Sequence, residues 1–115
     1  MSIAAYDRYL DAVNAGADDD RLAILTECTT DDLEIRSPGY VVRGRAAVAE
    51  KLGTVVAALP TPVRMERLTA DEHHDVQRVG WRGVRPDDTT AVTGEHIVDL
   101  RDGRVARIVV FIDTP

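Results

Sequence analysis

The sequence is poor in aromatic residues, cysteine and lysine. Aromatic side chains make up 4% of the 115 residues, and Cys28 is the one cysteine, so an intrachain disulfide and a cysteine zinc cluster are excluded. Lys51 is the one lysine among 14 basic residues, which face 20 acidic ones and leave a formal net charge of −6. Nucleic-acid backbones are bound by clustered cations, so we expect no nucleic-acid partner.

Long hydrophobic runs are also missing. The longest strongly apolar stretch, Ile108 to Ile112, is far shorter than the roughly 20 residues of a membrane-spanning helix. The N-terminus lacks a basic region followed by an apolar run, so we expect a cytoplasmic protein without a membrane partner. The length predicts a single domain over residues 1–115, in which any pocket must be cut from the only core.

Helical periodicity dominates the first half of the chain. A first helix ending at Gly16 is predicted by apolar residues three and four positions apart: Ile3, Tyr6, Leu10 and Val13. Three acids, Asp18 to Asp20, favour the start of a second helix, because we expect them to cap its N-terminus and to stabilise its dipole. The longest helix follows Gly44, includes Val56 on its apolar side, and ends before Pro60.

Extended segments follow a period of two. A strand from Leu33 to Ser37 lies between the second and third helices, and a short extended piece begins at Tyr40. After Pro62 the alternation predicts long antiparallel strands that are separated by turn signals, among them Asp102-Gly103. The predicted fold class is therefore α+β, with three helices before an antiparallel sheet.

Particular motifs in this order carry a family resemblance. They are Arg8-Tyr9-Leu10, Thr30-Asp31-Asp32-Leu33-Glu34, Ser37-Pro38-Gly39, Arg43-Gly44-Arg45-Ala46-Ala47-Val48 and Asp102-Gly103-Arg104-Val105. Together they resemble the SnoaL-like and ketosteroid isomerase-like branch of the nuclear transport factor 2-like superfamily, over the whole chain. The resemblance implies a cone-shaped curved sheet whose concave face holds three helices and a mostly apolar cavity.

The resemblance also assigns roles to three positions. Ketosteroid isomerase uses an Asp base with a Tyr and a protonated Asp as hydrogen-bond donors. Tyr9 stands where the family keeps its donor Tyr, and His96 stands near its donor Asp, so both are candidate catalytic residues. Ser37 stands at the position of the base, and because a hydroxyl cannot take a proton from carbon unaided, we expect no isomerisation by the usual mechanism. Ser37 remains a candidate ligand contact.

Strand alternation extends the candidate site. On the His96 face it places Val98, and on the Trp81 face it places Gln77 and, as an auxiliary acid, Asp75. Val110 and Ile112 alternate towards the same cavity from the last strand. His73 and His74 are adjacent and would point to opposite faces of a strand, so they indicate a polar turn and no metal site is expected.

The same alternation leaves Val109 and Phe111 on the outer face of the last strand, which no remaining helix can cover. The resemblance implies dimerisation through that face, and we expect a two-fold homodimer. Two functions stay open. One is a cofactor-independent isomerase, cyclase or hydrolase acting on a hydrophobic, oxygenated, polyketide- or steroid-like substrate. The other is a non-catalytic ligand-binding or dimeric accessory protein that has lost the catalytic Asp.

Overall fold

The computed structural model describes residues 3–113. Within them the chain forms three helices and one six-stranded sheet, in the order expected from the periodicity. The elements are α1 Ala4–Asn14, α2 Asp18–Cys28, β1 Thr29–Ser37, β2 Tyr40–Arg43, α3 Arg45–Ala57, β3 Arg64–His73, β4 Val76–Val84, β5 Thr90–Arg101 and β6 Arg104–Ile112. No helix in the described range is long and apolar enough to cross a membrane.

The sheet is curved and open, with the strand order β2-β1-β6-β5-β4-β3. All neighbouring strands are antiparallel except β1 and β6, which run parallel, with Ile35 opposite Ile108. This parallel pair joins the early strand to the end of the chain, a pairing that sequence periodicity does not reveal. The α+β cone predicted from the sequence is confirmed.

Tight turns with positive φ fix the register of the hairpins. Asp102 (φ 54°) and Gly103 (φ 77°) join β5 to β6 at the predicted turn. His74 (φ 51°) and Asp75 (φ 63°) join β3 to β4 in the same way. Of the two adjacent histidines, His74 lies in this polar turn and His73 is the last residue of β3. Asp residues tolerate the left-handed region better than most side chains, which explains their place in both turns.

Helix α1 is held across the sheet at both ends. Asp7 accepts hydrogen bonds from Arg67 of β3, at 2.7 Å from Nε and 3.3 Å from Nη2. Asn14, at the other end, donates to the carbonyl of Met65 (3.0 Å) and accepts from its N–H (2.8 Å). These contacts fix both the rotation and the position of α1, and therefore the direction in which its two tyrosines point.

The predicted role of the acids in α2 needs a correction. Asp18, Asp19 and Asp20 occupy the first turn, where they complement the dipole, but none of them caps the helix, whose N-cap residue is Ala17. Asp18 instead accepts a hydrogen bond from the buried Arg21 (2.7 Å), whose Nη2 donates to the carbonyl of Ala15 (2.6 Å). Arg21 thus ties α2 to the end of α1.

Candidate functional site

A cavity of about 540 Å³ lies between the helices and the inner face of the sheet. Its wall is mostly aliphatic and aromatic, with a small number of polar groups. The lining residues are Tyr9, Val13, Ile35, Ser37, Gly39, Tyr40, Leu52, Val55, Val56, Leu59, Pro60, Thr61, Val63, Met65, Trp81, Arg85, Ala91, Val92, His96, Val110 and Ile112. This size and composition are those of a small-molecule site.

His96 is enclosed by aromatic rings at one end of the cavity, which we call the floor. The ring of Trp81 stacks on the imidazole at 5.2 Å between centroids, and Tyr9 meets it edge-on at 6.4 Å. The hydroxyl of Tyr6 lies 2.8 Å from Nδ1 of His96. Burial lowers the pKa of His96 from 6.5 to about 3, so the ring is neutral at physiological pH.

The hydrogen bond to Tyr6 identifies the tautomer of His96. Tyr6 is fully buried, and its hydroxyl has no other hydrogen-bond partner among the described residues. Burial, and secondarily the Asp7 carboxylate, raise the pKa of Tyr6, so the phenol keeps its proton and must donate it. Among the described residues its one acceptor is Nδ1 of His96. A neutral imidazole that accepts at Nδ1 carries its proton on Nε2, so His96 offers the cavity an N–H donor.

Tyr9 supplies a second neutral donor. Its hydroxyl has no hydrogen-bond partner within residues 3–113, and burial raises its pKa, so the proton stays on the oxygen. Tyr9 and His96 both line the cavity, although each residue is almost fully buried. The indole nitrogen of Trp81, by contrast, is fully buried without a partner. The floor therefore presents one O–H and one N–H to a ligand.

The lining formed by the described residues contains no carboxylate. Arg85 is the one charged side chain in that lining, and it follows the last residue of β4. Ser37 and Tyr40 contribute hydroxyls to the lining. Burial raises the pKa of Tyr40, and its interaction with the Ser37 hydroxyl partly offsets that increase. Proton abstraction from carbon needs a base of suitable pKa, and a His96 whose pKa is about 3 is a weak one.

Most of the residues predicted from the sequence do meet in this cavity. Seven lie in its lining: Tyr9, Ser37, Val56, Trp81, His96, Val110 and Ile112. The outer-face residues behave as the alternation predicted, since Phe111 is 54% exposed and lies outside the lining. Strand parity was therefore correct for β5 and β6.

Three predicted placements are wrong. Asp75 is exposed in the β3–β4 turn, because its positive φ takes it out of the strand alternation that would have turned it inward. Gln77 and Val98 face inward as paired cross-strand neighbours, but they are fully buried and do not reach the cavity. Val98 belongs to the same buried core cluster as Tyr6 and Leu25.

The sequence pattern missed Tyr6, Tyr40 and Arg85. The helical spacing of Tyr6 predicts only a core residue, yet its spacing of three from Tyr9 puts both phenols on one face of α1. A buried His96 also requires a hydrogen-bonding neighbour, which Tyr6 supplies. Tyr40 depends on the turn at Pro38-Gly39, which folds β2 back along β1. Arg85 comes after a strand end, where alternation gives no direction.

Comparison with known proteins supports the same fold. No curated protein matches the chain. Among solved structures, a candidate isomerase of the SnoaL-like family from Agrobacterium tumefaciens superposes with a TM-score of 0.87 at 23% identity, covering 97% of each chain. A candidate polyketide cyclase from Sinorhizobium meliloti gives 0.71 at 20% identity and 92% coverage of each chain. TerC, crystallised with polyporic acid, gives 0.71 at 22% identity, covering 95% of this chain and 92% of its own.

The TM-scores of these three structures show a shared fold. Sequence evidence comes from the SnoaL-like domain, whose family pattern matches residues 6–108. That range begins at Tyr6 in α1 and ends at Ile108 in β6, so it includes both tyrosines of the floor, His96 and most of the sheet. The chain belongs to the SnoaL-like domain family.

Proposed function

We propose that this protein binds a hydrophobic, oxygenated small molecule and holds its carbonyl or hydroxyl oxygen between Nε2 of His96 and the Tyr9 hydroxyl. The observation that carries the proposal is the pair of unpaired neutral donors at the floor of a mostly apolar cavity. A ligand oxygen satisfies both donors at once. Hydrogen bonds formed away from water are electrostatically stronger than hydrogen bonds in solution, so this pair selects oxygenated ligands.

The donor pair also sets the range of chemistry. Two neutral donors stabilise negative charge that develops on a carbonyl oxygen, in the manner of an oxyanion hole. Since the described lining offers no carboxylate base, the supported reactions are those in which the substrate provides its own nucleophile, such as the cyclisation of an enolised polyketide-like ketone. Ligand binding is the primary function we propose.

Catalysis is the second candidate, and the same donor pair favours it. The structural relatives described as isomerase and polyketide cyclase support chemistry of this kind. The two candidates differ in one result: an enzyme converts a bound ketone, whereas a binding protein releases it unchanged. Product analysis of incubated polyketide-like ketones by mass spectrometry separates them.

Benzophenone and diphenylmethane test the donor pair, because they differ by one carbonyl oxygen. Calorimetry on the wild-type protein should show benzophenone binding roughly three- to tenfold more tightly, the difference that one or two neutral hydrogen bonds provide. The carbonyl stretching band of bound benzophenone should shift to lower frequency. Both effects should weaken in Tyr9→Phe, while the affinity for diphenylmethane stays unchanged.

Val55→Ala is the matched control for that experiment. Val55 lines the cavity without offering a donor, so its truncation should change the affinity for both probes alike and leave the frequency of the carbonyl band where it is. Equal affinities of the wild-type protein for the two probes, or an unshifted carbonyl band, would contradict the proposal.

A homodimer is a separate part of the proposal. Val109 is half-buried and Phe111 is exposed on the outer face of β6, and Ile97 of β5 lies directly opposite Val109. These three residues form an apolar strip on the outer face. Flanking the strip is the ion pair between Arg107 and Asp99 (2.5 Å). An apolar centre with a charged rim is the usual composition of a protein interface.

A further inference from the structure

Arg85 is the charged member of the cavity lining, and only one of its three guanidinium nitrogens forms hydrogen bonds within the described residues. Nη1 donates to the Thr89 hydroxyl (3.2 Å) and to the Thr90 carbonyl (2.9 Å). Within residues 3–113, Nε and Nη2 make no hydrogen bond, and no carboxylate lies within ion-pair distance of the group. Three N–H donors are therefore unpaired, and two of them, one on Nε and one on Nη2, lie side by side on one edge of the guanidinium.

Most other arginines of the chain are engaged differently. Ten of them form ion pairs with Asp or Glu, among them Arg67 with Asp7 and Arg82 with Glu66. The full set is Arg8, Arg21, Arg36, Arg43, Arg64, Arg67, Arg78, Arg82, Arg101 and Arg107. Arg85 thus lines the cavity without forming an ion pair with any described residue.

The acids closest in sequence to Arg85 do not occupy its free edge. Asp87 accepts hydrogen bonds from the N–H (3.1 Å) and the hydroxyl (2.6 Å) of Thr89. These two bonds are the main reason that its pKa is lowered, and the positive charge of Arg85 lowers it further without an ion pair or hydrogen bond between the two side chains. Asp88 lines a separate surface hollow of about 240 Å³, which Arg85 also borders. Arg85 therefore stands where the hollow and the cavity meet, a position we call the mouth.

The Nη1 contacts hold the guanidinium against Thr89 and Thr90, the first residue of β5. The edge formed by Nε and Nη2 remains as a planar pair of donors, or fork. Such a fork matches the two oxygens of a carboxylate. Along β4, the mouth lies four residues from Trp81, which is about 13 Å at roughly 3.3 Å per residue. An extended chain of about ten carbons covers that distance.

We propose that Arg85 binds a carboxylate of the ligand, so that the ligand is an elongated organic acid with an apolar body directed towards the floor. This inference rests on the proposed ligand-binding function and adds to it the charge of the ligand. The donors at the floor hold a neutral oxygen, whereas the mouth holds the anionic end.

Decanoate and methyl decanoate test the assignment, because they share a chain and differ in charge. Trp81 is the one tryptophan and lines the cavity, so its fluorescence reports occupancy directly. The wild-type protein should bind decanoate roughly tenfold or more tightly than the ester, as a charge-assisted bidentate contact provides. Raising the salt concentration should reduce this preference, because Arg85 is partly exposed.

Arg85→Gln should remove the preference for decanoate and leave the affinity for methyl decanoate unchanged. Arg85→Lys keeps the charge and loses the fork, so it should retain part of the preference. Arg104→Gln is the control: Arg104 is exposed at the start of β6, has no ion pair among the described residues and lies outside the lining. It should behave as wild type. Thermal melting of each variant checks that it is folded.

The results separate the two proposals. If the ester binds and the wild-type protein shows no preference for decanoate, or if the preference persists in Arg85→Gln, the anion assignment is wrong and the cavity proposal stands. If neither decanoate, methyl decanoate nor benzophenone binds, the cavity proposal fails and the anion assignment fails with it.

Discussion

At the scale of single residues, the floor of the cavity depends on what each polar hydrogen atom can reach. Tyr6 and Tyr9 are one helical turn apart on α1 and have the same chemistry, but only the Tyr6 hydroxyl meets Nδ1 of His96. That contact makes Tyr6 a positioning residue, which sets the tautomer of His96. Tyr9 keeps its hydroxyl for the ligand.

We predict that Tyr6→Phe lowers the free energy of unfolding by about 1–2 kcal/mol, because it leaves a buried acceptor on His96 without its donor. Tyr9→Phe should change it by less than about 0.5 kcal/mol, since the lost hydroxyl has no partner within the described range. Urea denaturation measures both. Nitrogen NMR shifts of His96 should reveal a changed tautomer only in Tyr6→Phe. Equal destabilisation by the two changes would contradict the assignment.

The pH dependence of stability follows from His96. Its pKa is about 3 in the folded protein and near 6.5 when unfolded, so between these values the unfolded chain binds the extra proton. The contribution of His96 to the free energy of unfolding should therefore be fully present above pH 6.5. It should fall as the pH drops below that value, by at most about 1.4 kcal/mol per pH unit.

Denaturation at pH 7, 6 and 5 measures that slope. The hydrogen bond from Arg101 lowers the pKa of Asp32 to about 2. This carboxylate therefore loses its contribution to stability only at a pH below this range. The His96→Gln variant should have a shallower slope than wild type. A wild-type stability that does not change between pH 7 and 5, or a His96 ring that becomes charged in NMR spectra over this range, would contradict a buried neutral imidazole.

At the scale of secondary-structure elements, β4 and β5 shape the floor through a close approach. A Cβ atom added to Gly94 would lie 2.1 Å from the carbonyl oxygen of Phe111 and 2.5 Å from the Trp81 ring. Glycine at this position therefore lets the indole lie across β5, where it stacks on His96. The stacking of Trp81 on His96 therefore requires a residue without a side chain at position 94.

We predict that Gly94→Ala destabilises the protein by about 1–3 kcal/mol through overpacking and displaces the indole of Trp81. Thermal or urea denaturation measures the loss of stability, and the Trp81 emission spectrum reports the displacement. Gly16→Ala is the control, because a Cβ atom at Gly16 meets nothing within 4 Å. An unchanged spectrum in Gly94→Ala would show that the floor tolerates the added methyl group.

The bounds of the helices and strands show which parts of the fold could be predicted from the sequence. Periodicity located α1, α3 and the hairpins β3–β4 and β5–β6, because local alternation and turn residues decide these elements. It shortened β1, whose first residues pack beside β6 in a parallel pair. It also misplaced Asp75, since the exact residues of a two-residue turn decide where alternation stops.

At the scale of the whole molecule, the helices cover one face of the sheet and leave the apolar strip on the other. We predict that the wild-type protein sediments as a dimer and that Phe111→Glu shifts it to monomer, because a charge would be buried against an apolar partner. Analytical ultracentrifugation measures the mass. Leu22→Glu, at an equally apolar but less exposed position on α2, should remain dimeric. A monomeric wild-type protein would overturn the dimer proposal.

The sequence by itself determined the order of elements, the fold class and the inward faces of β5 and β6, because periodicity and turn chemistry are local properties of the chain. It also predicted that Tyr9, Ser37, Trp81 and His96 line one cavity, where all four lie. Only the tertiary structure decided which tyrosine meets His96, which inward residues are sealed in the core, and that Arg85 has a free edge. Those outcomes depend on distances between residues far apart in the chain, and the packing of α1 across the sheet sets the first of them.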